Sequence, residues 1–512
     1  MSSFAQLFFY SYDNEMKLQH LFAVFSGLPE EKMSTLEVSG LFQDARAVLP
    51  GSVFVAVRGQ KFDGHQFIQE AVKNGASALV LEDKSQVPAD FNGFILQVPD
   101  SRQALDLLAS RFYWDPGQEL FCVGVTGTNG KTSITYLVES VLNQAGHRTA
   151  VMGTVNHHLG EKVFSTEMTT PDPISLQKRL KEFKELGATA VALEISSHAL
   201  DQKRADSVPF NAVVYSNLTR DHLDYHGTME NYFRAKQRLF MDLMESSAKF
   251  PTFAIVNIAD AWGRKLWVHE KTELLTYGTK DSDLRYEILE VNFSYTRFKL
   301  IAPWGKTEIK LPLCGVHNVL NALAAVGVGV AAGIKWDLIL KGLENFPGVP
   351  GRLQMVPNIH DRHVLVDYAH SPDALENVLK ALAEVRKTRK SKSKIHLVFG
   401  CGGDRDKGKR PLMAAMALKY ADQITVTSDN PRTEDPEQII HDIVQGLSAI
   451  DQKRLHKNVD RSFAIREAIK NSQADDVVLI AGKGHEDYQI IGSEKKPFSD
   501  FHSAQQALKE LS

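Results

Sequence analysis

A chain of 512 residues is too long for one hydrophobic core, so three or four domains are expected. Its residues are 43% apolar and 24% charged with a net charge of −3, the composition of a soluble globular protein, which gives no reason to expect nucleic acid as a partner. Cys122, Cys314 and Cys401 are scattered and offer neither a disulfide framework nor a metal-binding spacing, which points to a reducing cytoplasm.

No apolar run is long enough to span a bilayer, so no membrane association is expected. The first residues carry an apolar patch but no basic leader or cleavage site, and either Met1 or Met16 could be the native start. The first unit is placed at residues 1–117. Ser52 to Val57 reads as a strand, Phe67 to Asn74 as a helix and Ala76 to Leu81 as a strand, an α/β pattern. Trp114-Asp115-Pro116-Gly117 is turn chemistry and marks a boundary.

The second unit, 118–348, opens on the most informative stretch of the chain. An apolar strand, Leu120 to Val125, leads through Thr126-Gly127-Thr128-Asn129-Gly130-Lys131-Thr132 into a helical pattern over Ser133 to Gln144. Strand, glycine loop and helix are the context of a phosphate-binding loop. The glycines let backbone N–H groups approach phosphate, Lys131 adds a point charge, Thr132 a hydroxyl for Mg²⁺, and the helix N-terminus a favourable dipole. The strict spacing would place glycine at 125, where this chain has Val125. Further strands are expected at Ala188–Ile195, Ala212–Ser216 and Phe253–Asn257, giving a largely parallel sheet. Glu194 would end one of them, facing the phosphate loop, where a carboxylate can hold Mg²⁺. Asp221-His222-Leu223-Asp224 follows the next strand. Lys236 falls inside an apolar stripe of positions 232, 233, 239, 240 and 243. Periodicity alone favours a packed stem with a snorkelling ammonium; the sharper reading is a lysine neutralised or modified for chemistry. Thr169-Thr170 and Ser196, with Gln202 and Arg204, form polar runs suited to a sugar, diphosphate or carboxylate, although Thr170 or Ser196 could equally be a helix cap.

Phe346 to Gly351 is dense in Pro and Gly and opens a third unit, 349–512. Its apolar strands, Val364–Val366, Ile395–Phe399, Ile424–Thr427 and Val477–Ile480, are each followed by a polar cluster. Ligands bind beyond the carboxyl ends of strands in open α/β sheets, so four such clusters suggest one shared site. The basic run Arg386–Lys394 reads as a solvated loop.

These motifs resemble the Mur ligases of peptidoglycan synthesis. The resemblance rests on the phosphate loop, Glu194-Ile195-Ser196-Ser197-His198, Asn217 with Asp221 to His226, and Ala235-Lys236 with Leu239-Phe240. Asp367-Tyr368-Ala369-His370, Gly402 to Asp406 and Gly482 to Glu486 are similar to the branch that adds the third amino acid. It implies an α/β protein of three domains: a UDP-substrate-binding domain, a central phosphate-loop ATPase with a parallel sheet, and a Rossmann-like amino-acid-binding domain. It implies that ATP phosphorylates the D-Glu side chain of UDP-N-acetylmuramoyl-L-alanyl-D-glutamate, and that an incoming amine displaces the phosphate. Lys236 would be carbamylated and, with Thr132, Glu194 and His222, would surround Mg²⁺; Lys131 completes the catalytic set. ATP contacts fall on Gly127, Thr128, Asn129, Gly130, Lys131 and Thr132, with Asn318 and Arg352. The UDP substrate would meet Gln43, Ala45, Gln60, Lys61, Phe62, Thr169, Thr170, Ser196, Gln202 and Arg204. A monomer is expected. Three departures affect nucleotide contacts: Ala45 replaces the usual serine of Asp-Ser-Arg, Gln60-Lys61-Phe62 matches loosely, and Asn257-Ile258-Ala259-Asp260 lacks one acid.

Asp429-Asn430-Pro431-Arg432 is similar to the signature for meso-diaminopimelate, which differs from lysine by a carboxylate on the far carbon. A guanidinium can hold that group with two parallel hydrogen bonds. Arg405, Gly482 and Glu486 would complete the pocket, Glu486 facing the far ammonium. The alternatives are an L-lysine-adding ligase of the same fold, a folylpolyglutamate synthase, and an ATP-binding regulator that has lost catalysis.

Overall fold

The computed structural model describes residues 16–26, 36–59, 62–166, 168–388 and 392–511. Gln60 and Lys61 lie outside the described residues, as do residues 1–15. The first sheet has four parallel strands in sequence order: β1 (Leu41–Phe42), β2 (Ser52–Val55), β3 (Ala76–Leu81) and β4 (Phe94–Gln97).

The second sheet has eight strands: β5 (Phe121–Thr126), β6 (Thr149–Met152), β7 (His157–Leu159), β8 (Lys162–Phe164), β9 (Ala190–Glu194), β10 (Ala212–Tyr215), β11 (Thr252–Asn257) and β12 (Thr272–Tyr277). Their order is β12-β11-β10-β5-β9-β6-β7-β8, and only the short β7 runs against the others, pairing antiparallel with both β6 and β8. The phosphate-loop strand β5 therefore lies mid-sheet, between β9 and β10. Val123 and Val125 on one face and Cys122 on the other are all fully buried, so both faces of β5 are covered. Helix α1 (Lys131–Gln144) covers one face through Ile134, Leu137, Val138 and Val141, and packs against helix α3 (Val316–Ala331). Helix α2 (Met229–Gln237) covers the other face through Tyr232 and Phe233. A three-stranded antiparallel sheet follows: β13 (Arg285–Val291), β14 (Thr296–Ala302) and β15 (Gly305–Leu311).

The last large sheet contains β16 (Gln354–Met355), β17 (His363–Asp367), β18 (Ile395–Phe399), β19 (Gln423–Thr427), β20 (Leu455–Asn458) and β21 (Val477–Ala481), ordered β16-β17-β21-β18-β19-β20. Only the edge strand β16 is antiparallel. Register places Ala481 beside both Asp367 and Phe399, so the polar clusters after these strands start at one level. A hairpin, β22 (Tyr488–Ile491) with β23 (Glu494–Pro497), closes over that end, where Arg432 bridges to Ile491.

The expected solvated loop at Arg386–Lys394 is corrected at its start only; residues 389–391 lie outside the described residues, and 392–394 belong to no helix or strand. Residues 386–388 end the helix Pro372–Thr388, and the Arg386 guanidinium pairs with Asp422.

Arg461 and Asp500 form a fully buried ion pair, with Nε–Oδ1 and Nη2–Oδ2 both at 2.7 Å. Arg461 also donates to the carbonyls of Ser428 (3.3 Å) and Ala481 (3.0 Å), joining the ends of β19 and β21. Removing one partner leaves a buried charge alone, so Asp500→Ala should cost about 3–5 kcal/mol. Urea unfolding of that variant tests this; a change below about 1 kcal/mol, the range of exposed pairs, would contradict it.

Candidate active site

The phosphate loop begins after Thr126, so Val125 is a fully buried strand residue rather than a loop position. Gly127 has φ +150°, and a Cβ there would lie 1.9 Å from Ser216 Oγ, so only glycine fits. The loop is tied to the residues after β10: Thr128 N donates to Asn217 O (2.9 Å), Asn129 N to Asn217 Oδ1 (3.0 Å), and Ser216 Oγ to Asn129 O (2.6 Å). Gly130 caps α1, whose first turn holds Lys131 and the buried Thr132.

Lys131 Nζ donates to Gly127 O (3.0 Å) and Thr128 O (2.9 Å). Lys236 Nζ donates to the same Gly127 O, also at 3.0 Å, and lies 4.7 Å over the Tyr232 ring. Two lysines therefore share one carbonyl. Lys236 is 1% exposed and its amine points inward, which corrects the snorkelling reading. Burial, then the neighbouring Lys131, push the Lys236 pKa well below its ordinary value. Burial lowers Lys131 too, opposed by Glu194 and reinforced by Arg352.

Glu194 ends β9 beside the loop, where Ile195 N donates to Val125 O (2.8 Å). Its carboxylate accepts from Thr154 N (3.0 Å) and Thr154 Oγ1 (3.1 Å), which leaves two of its lone-pair positions unused. His222, at φ +52°, follows Asp221 and packs 4.9 Å from His198. Lys131 and Lys236 both act on His222 electrostatically, so Lys131, His222 and Lys236 occupy one neighbourhood, with Glu194 joined to it through its effect on Lys131. Among the described residues no three His, Cys, Asp or Glu side chains already form a metal cluster. The oxygens of Thr132 and Glu194 and the imidazole of His222 are donors that a hard divalent cation accepts, alongside water and substrate phosphates.

Asn318 and Arg352 line a cavity of about 820 Å³ together with Asn129 and Gly130. Asn318 is held by Cys314 O (2.8 Å) and Asn321 Nδ2 (3.1 Å). Arg352 stacks 5.0 Å over Tyr368.

Gln43, Gln202 and Arg204 meet in a cavity of about 380 Å³ between the first two sheets. Gln202 Nε2 donates to Tyr225 OH (3.0 Å), and Arg204 donates to Thr170 O (3.1 Å). Ser196 caps the helix Ser197–Asp201. Thr170 caps no helix: its hydroxyl donates to Glu194 O (2.8 Å) and accepts from Ser196 N (3.0 Å), so it joins two site segments. Thr169 Oγ1 meets Thr154 Oγ1 at 3.0 Å. Ala45 does not line that cavity; its methyl is buried in the core with Phe54 and Ile68. Phe62 is 71% exposed.

Arg405, Asp429, Asn430, Arg432, Gly482 and Glu486 share a third cavity of about 1020 Å³, which Thr154 and Thr169 border from the central unit. Gly482 has φ +118°, and a Cβ would come within 2.7 Å of Asp429 Oδ2. Arg432, at φ +52°, donates Nη1–H to Gly403 O (2.8 Å), which leaves the rest of the guanidinium for a ligand. Pro431 is buried and turns the loop, its carbonyl accepting from Glu434 N (3.1 Å), so it shapes the pocket without lining it.

Several supporting residues were not read as site residues from sequence. Tyr232 OH meets Thr128 Oγ1 at 3.1 Å, and its ring stacks on His226, whose Nε2 meets Ser197 Oγ at 2.9 Å. Their position beside the motif residues was the available signal.

Family descriptions match three stretches: the Mur ligase family catalytic domain over 37–113, the Mur ligase middle domain over 125–329, and the Mur ligase glutamate ligase domain over 351–484. A protein of Geobacter metallireducens named UDP-N-acetylmuramoyl-L-alanyl-D-glutamate–2,6-diaminopimelate ligase is 42% identical, covering 97% of this chain and 99% of the relative. One of the same name from Geobacillus thermodenitrificans is also 42% identical, covering 97% and 100%. A solved structure with that name matches at 34% identity and a TM-score of 0.72, covering 97% and 99%. A MurF ligase from Thermotoga maritima in complex with ADP shares the fold at 21% identity and a TM-score of 0.57, covering 92% and 98%.

The histidine cluster beside Lys236 gives a pH prediction. Burial, then His222 and His226, push His198 down to about 4. The neutral form is favoured in the fold, so its stability contribution is complete above pH 6.5 and lost as pH falls towards 4. Thermal melting of His198→Gln should therefore decline less than wild type between pH 6.5 and 4.5; parallel declines would refute it. On matched domains, near-full-length relatives and shared architecture, this chain is a member of the Mur ligase family.

Proposed function

We propose that this protein joins meso-diaminopimelate to UDP-N-acetylmuramoyl-L-alanyl-D-glutamate at the expense of ATP. Near-full-length relatives bearing that activity in their names support the reading. The observation that carries it is the shared cavity of about 1020 Å³: one wall holds Arg405, Asn430 and Arg432, the other Thr154 and Thr169 beside Glu194. An amino acid held on the first wall faces a carboxylate held near the phosphate loop.

A carboxylate is a poor electrophile because its leaving group would be oxide. Transfer of the γ-phosphoryl group to a D-Glu carboxylate oxygen releases ADP and makes phosphate the leaving group. The amine of the incoming amino acid then bonds to the acyl carbon, the C–O bond to phosphate breaks, and the amine loses a proton. Lys131 would turn from the loop carbonyls to the β- and γ-phosphates, with Asn318 and Arg352 beside the nucleotide. Lys236, whose ammonium is disfavoured by burial and by Lys131, would add carbon dioxide through its free amine, release a proton and become a carbamate. Thr132, Glu194, His222 and that carbamate would hold Mg²⁺, which supplies charge neutralisation for the transferred phosphoryl group. Gln43, Gln202 and Arg204 would hold the UDP substrate, together with Thr169.

Arg432 favours diaminopimelate over L-lysine. Lysine would leave part of the guanidinium without its carboxylate partner, and a site built for a polar group rejects the analogue that lacks it. Phosphate release assayed with ATP, the UDP-dipeptide and a panel of amino acids tests the function. Turnover with diaminopimelate is expected; turnover with lysine alone would overturn the choice of substrate, and none with any amino acid would overturn the ligase reading. Arg432→Ala should abolish use of diaminopimelate while binding of the UDP substrate persists; unchanged kinetics would refute the role. Lys236→Ala should be nearly inactive and partly restored by short-chain carboxylic acids; full unrescued activity would count against the carbamate.

A further inference from the structure

Lys483 lies between Gly482 and Gly484 and is 0% exposed. Its Nζ donates to Glu486 Oε2 at 2.8 Å and to Asn430 Oδ1 at 3.0 Å. Asn430 Nδ2 donates to the same Glu486 oxygen at 2.9 Å, closing a ring of three side chains. Ile490 N also donates to Asn430 Oδ1, at 2.9 Å.

This ring fixes two orientations. Two donors converge on Asn430 Oδ1, so a flipped carboxamide would set its NH₂ against the Lys483 amine and the Ile490 N–H. Both protein bonds to Glu486 fall on Oε2, which leaves Oε1 for a ligand in the cavity. The same cavity is lined by Arg405 and Arg432. A carboxylate released from Lys483 would be attracted to those guanidiniums and would compete with a substrate carboxylate for them. Burial beneath the loop makes Lys483 a better anchor than an exposed lysine, because water does not screen the contact.

Building on the ligase reading above, we propose that Lys483 is the positioning residue of the amino-acid pocket: it locks Glu486 and Asn430 so that Glu486 Oε1 meets the far ammonium of the incoming amino acid. Lys483 need not touch substrate. It acts through its two partners and sets selectivity for a second ammonium.

The test is steady-state kinetics of Lys483→Met, which keeps the length of the chain and removes its donors. KM for the amino acid should rise at least about tenfold, the scale of one lost charge-assisted hydrogen bond, while KM for ATP and for the UDP substrate stay within about twofold. Lys483→Gln, which keeps donors, should fall between wild type and Lys483→Met. Because Lys483→Met strands a carboxylate, the double variant Lys483→Met/Glu486→Gln is measured as well: its melting temperature should recover while the amino-acid KM stays raised. An unchanged amino-acid KM, or an equal rise in all three KM values, overturns the inference. Wild type assayed alongside separates the two claims. If it releases no phosphate in response to any amino acid, the ligase reading fails and takes this inference with it; if it turns over normally and Lys483→Met does too, only the role of Lys483 fails.

Discussion

Two lysines converge on one carbonyl oxygen, Gly127 O, each at 3.0 Å. Their mutual repulsion and lost hydration oppose two cations there, and the fold resolves the conflict unequally. Lys131, on the first turn of α1, retains Glu194 as an opposing charge. Lys236, on α2, has burial and Lys131 against it and only Asp221 in its favour. The Lys236 ammonium is therefore the more strongly disfavoured of the two, and Lys131 the less. Much of the central unit serves this arrangement. β5 carries the loop, β9 delivers Glu194, β10 delivers Ser216 and Asn217, and Tyr232 ties α2 back to Thr128.

The third sheet repeats the logic with a different cargo. Register aligns the ends of its parallel strands, and buried ions hold the loops that follow. Arg461 and Asp500 brace Ser428 and Ala481 from below. Arg410, also 0% exposed, is tied to Glu434 (2.9 Å) and Asp442 (2.7 Å) and donates to Gly402 O (3.3 Å). Glu434 in turn accepts from Asp404 N (2.6 Å), so one buried arginine links the Gly402–Arg405 loop to the turn after Arg432. Removal of either partner from such a cluster is costly, because it leaves the other charge buried and unpaired.

Much of this was legible in the sequence where periodicity and chemistry agreed. The strands Ala76–Leu81 and Ile395–Phe399 have the expected bounds, and the phosphate loop stands between strand and helix as its glycines require. The convergence of four strand ends followed from parallel topology. Other features had no one-dimensional signal. β13 reads Arg-Tyr-Glu-Ile-Leu-Glu-Val, with no clean alternation, because it is an edge strand carrying a bulge. β7 and β8 are too short to show a period. Lys483 between two glycines looks like a solvated loop residue, and only the three-dimensional contact with Asn430, more than fifty positions earlier, buries it. Ala45 stood in a nucleotide-contact motif, but its methyl belongs to the core of the first sheet. Lys236 was ambiguous for a plain reason: periodicity locates a side chain on a face and says nothing of which way its last atom turns.

The most direct measurement of the central claim is ¹³C NMR of the full-length protein equilibrated with ¹³C-bicarbonate. A lysine whose ammonium is disfavoured beside Gly127 O should yield one protein-bound carbamate carbonyl resonance, absent from Lys236→Met and retained in Lys131→Met. No such resonance at saturating bicarbonate, or one that survives Lys236→Met, would contradict the account.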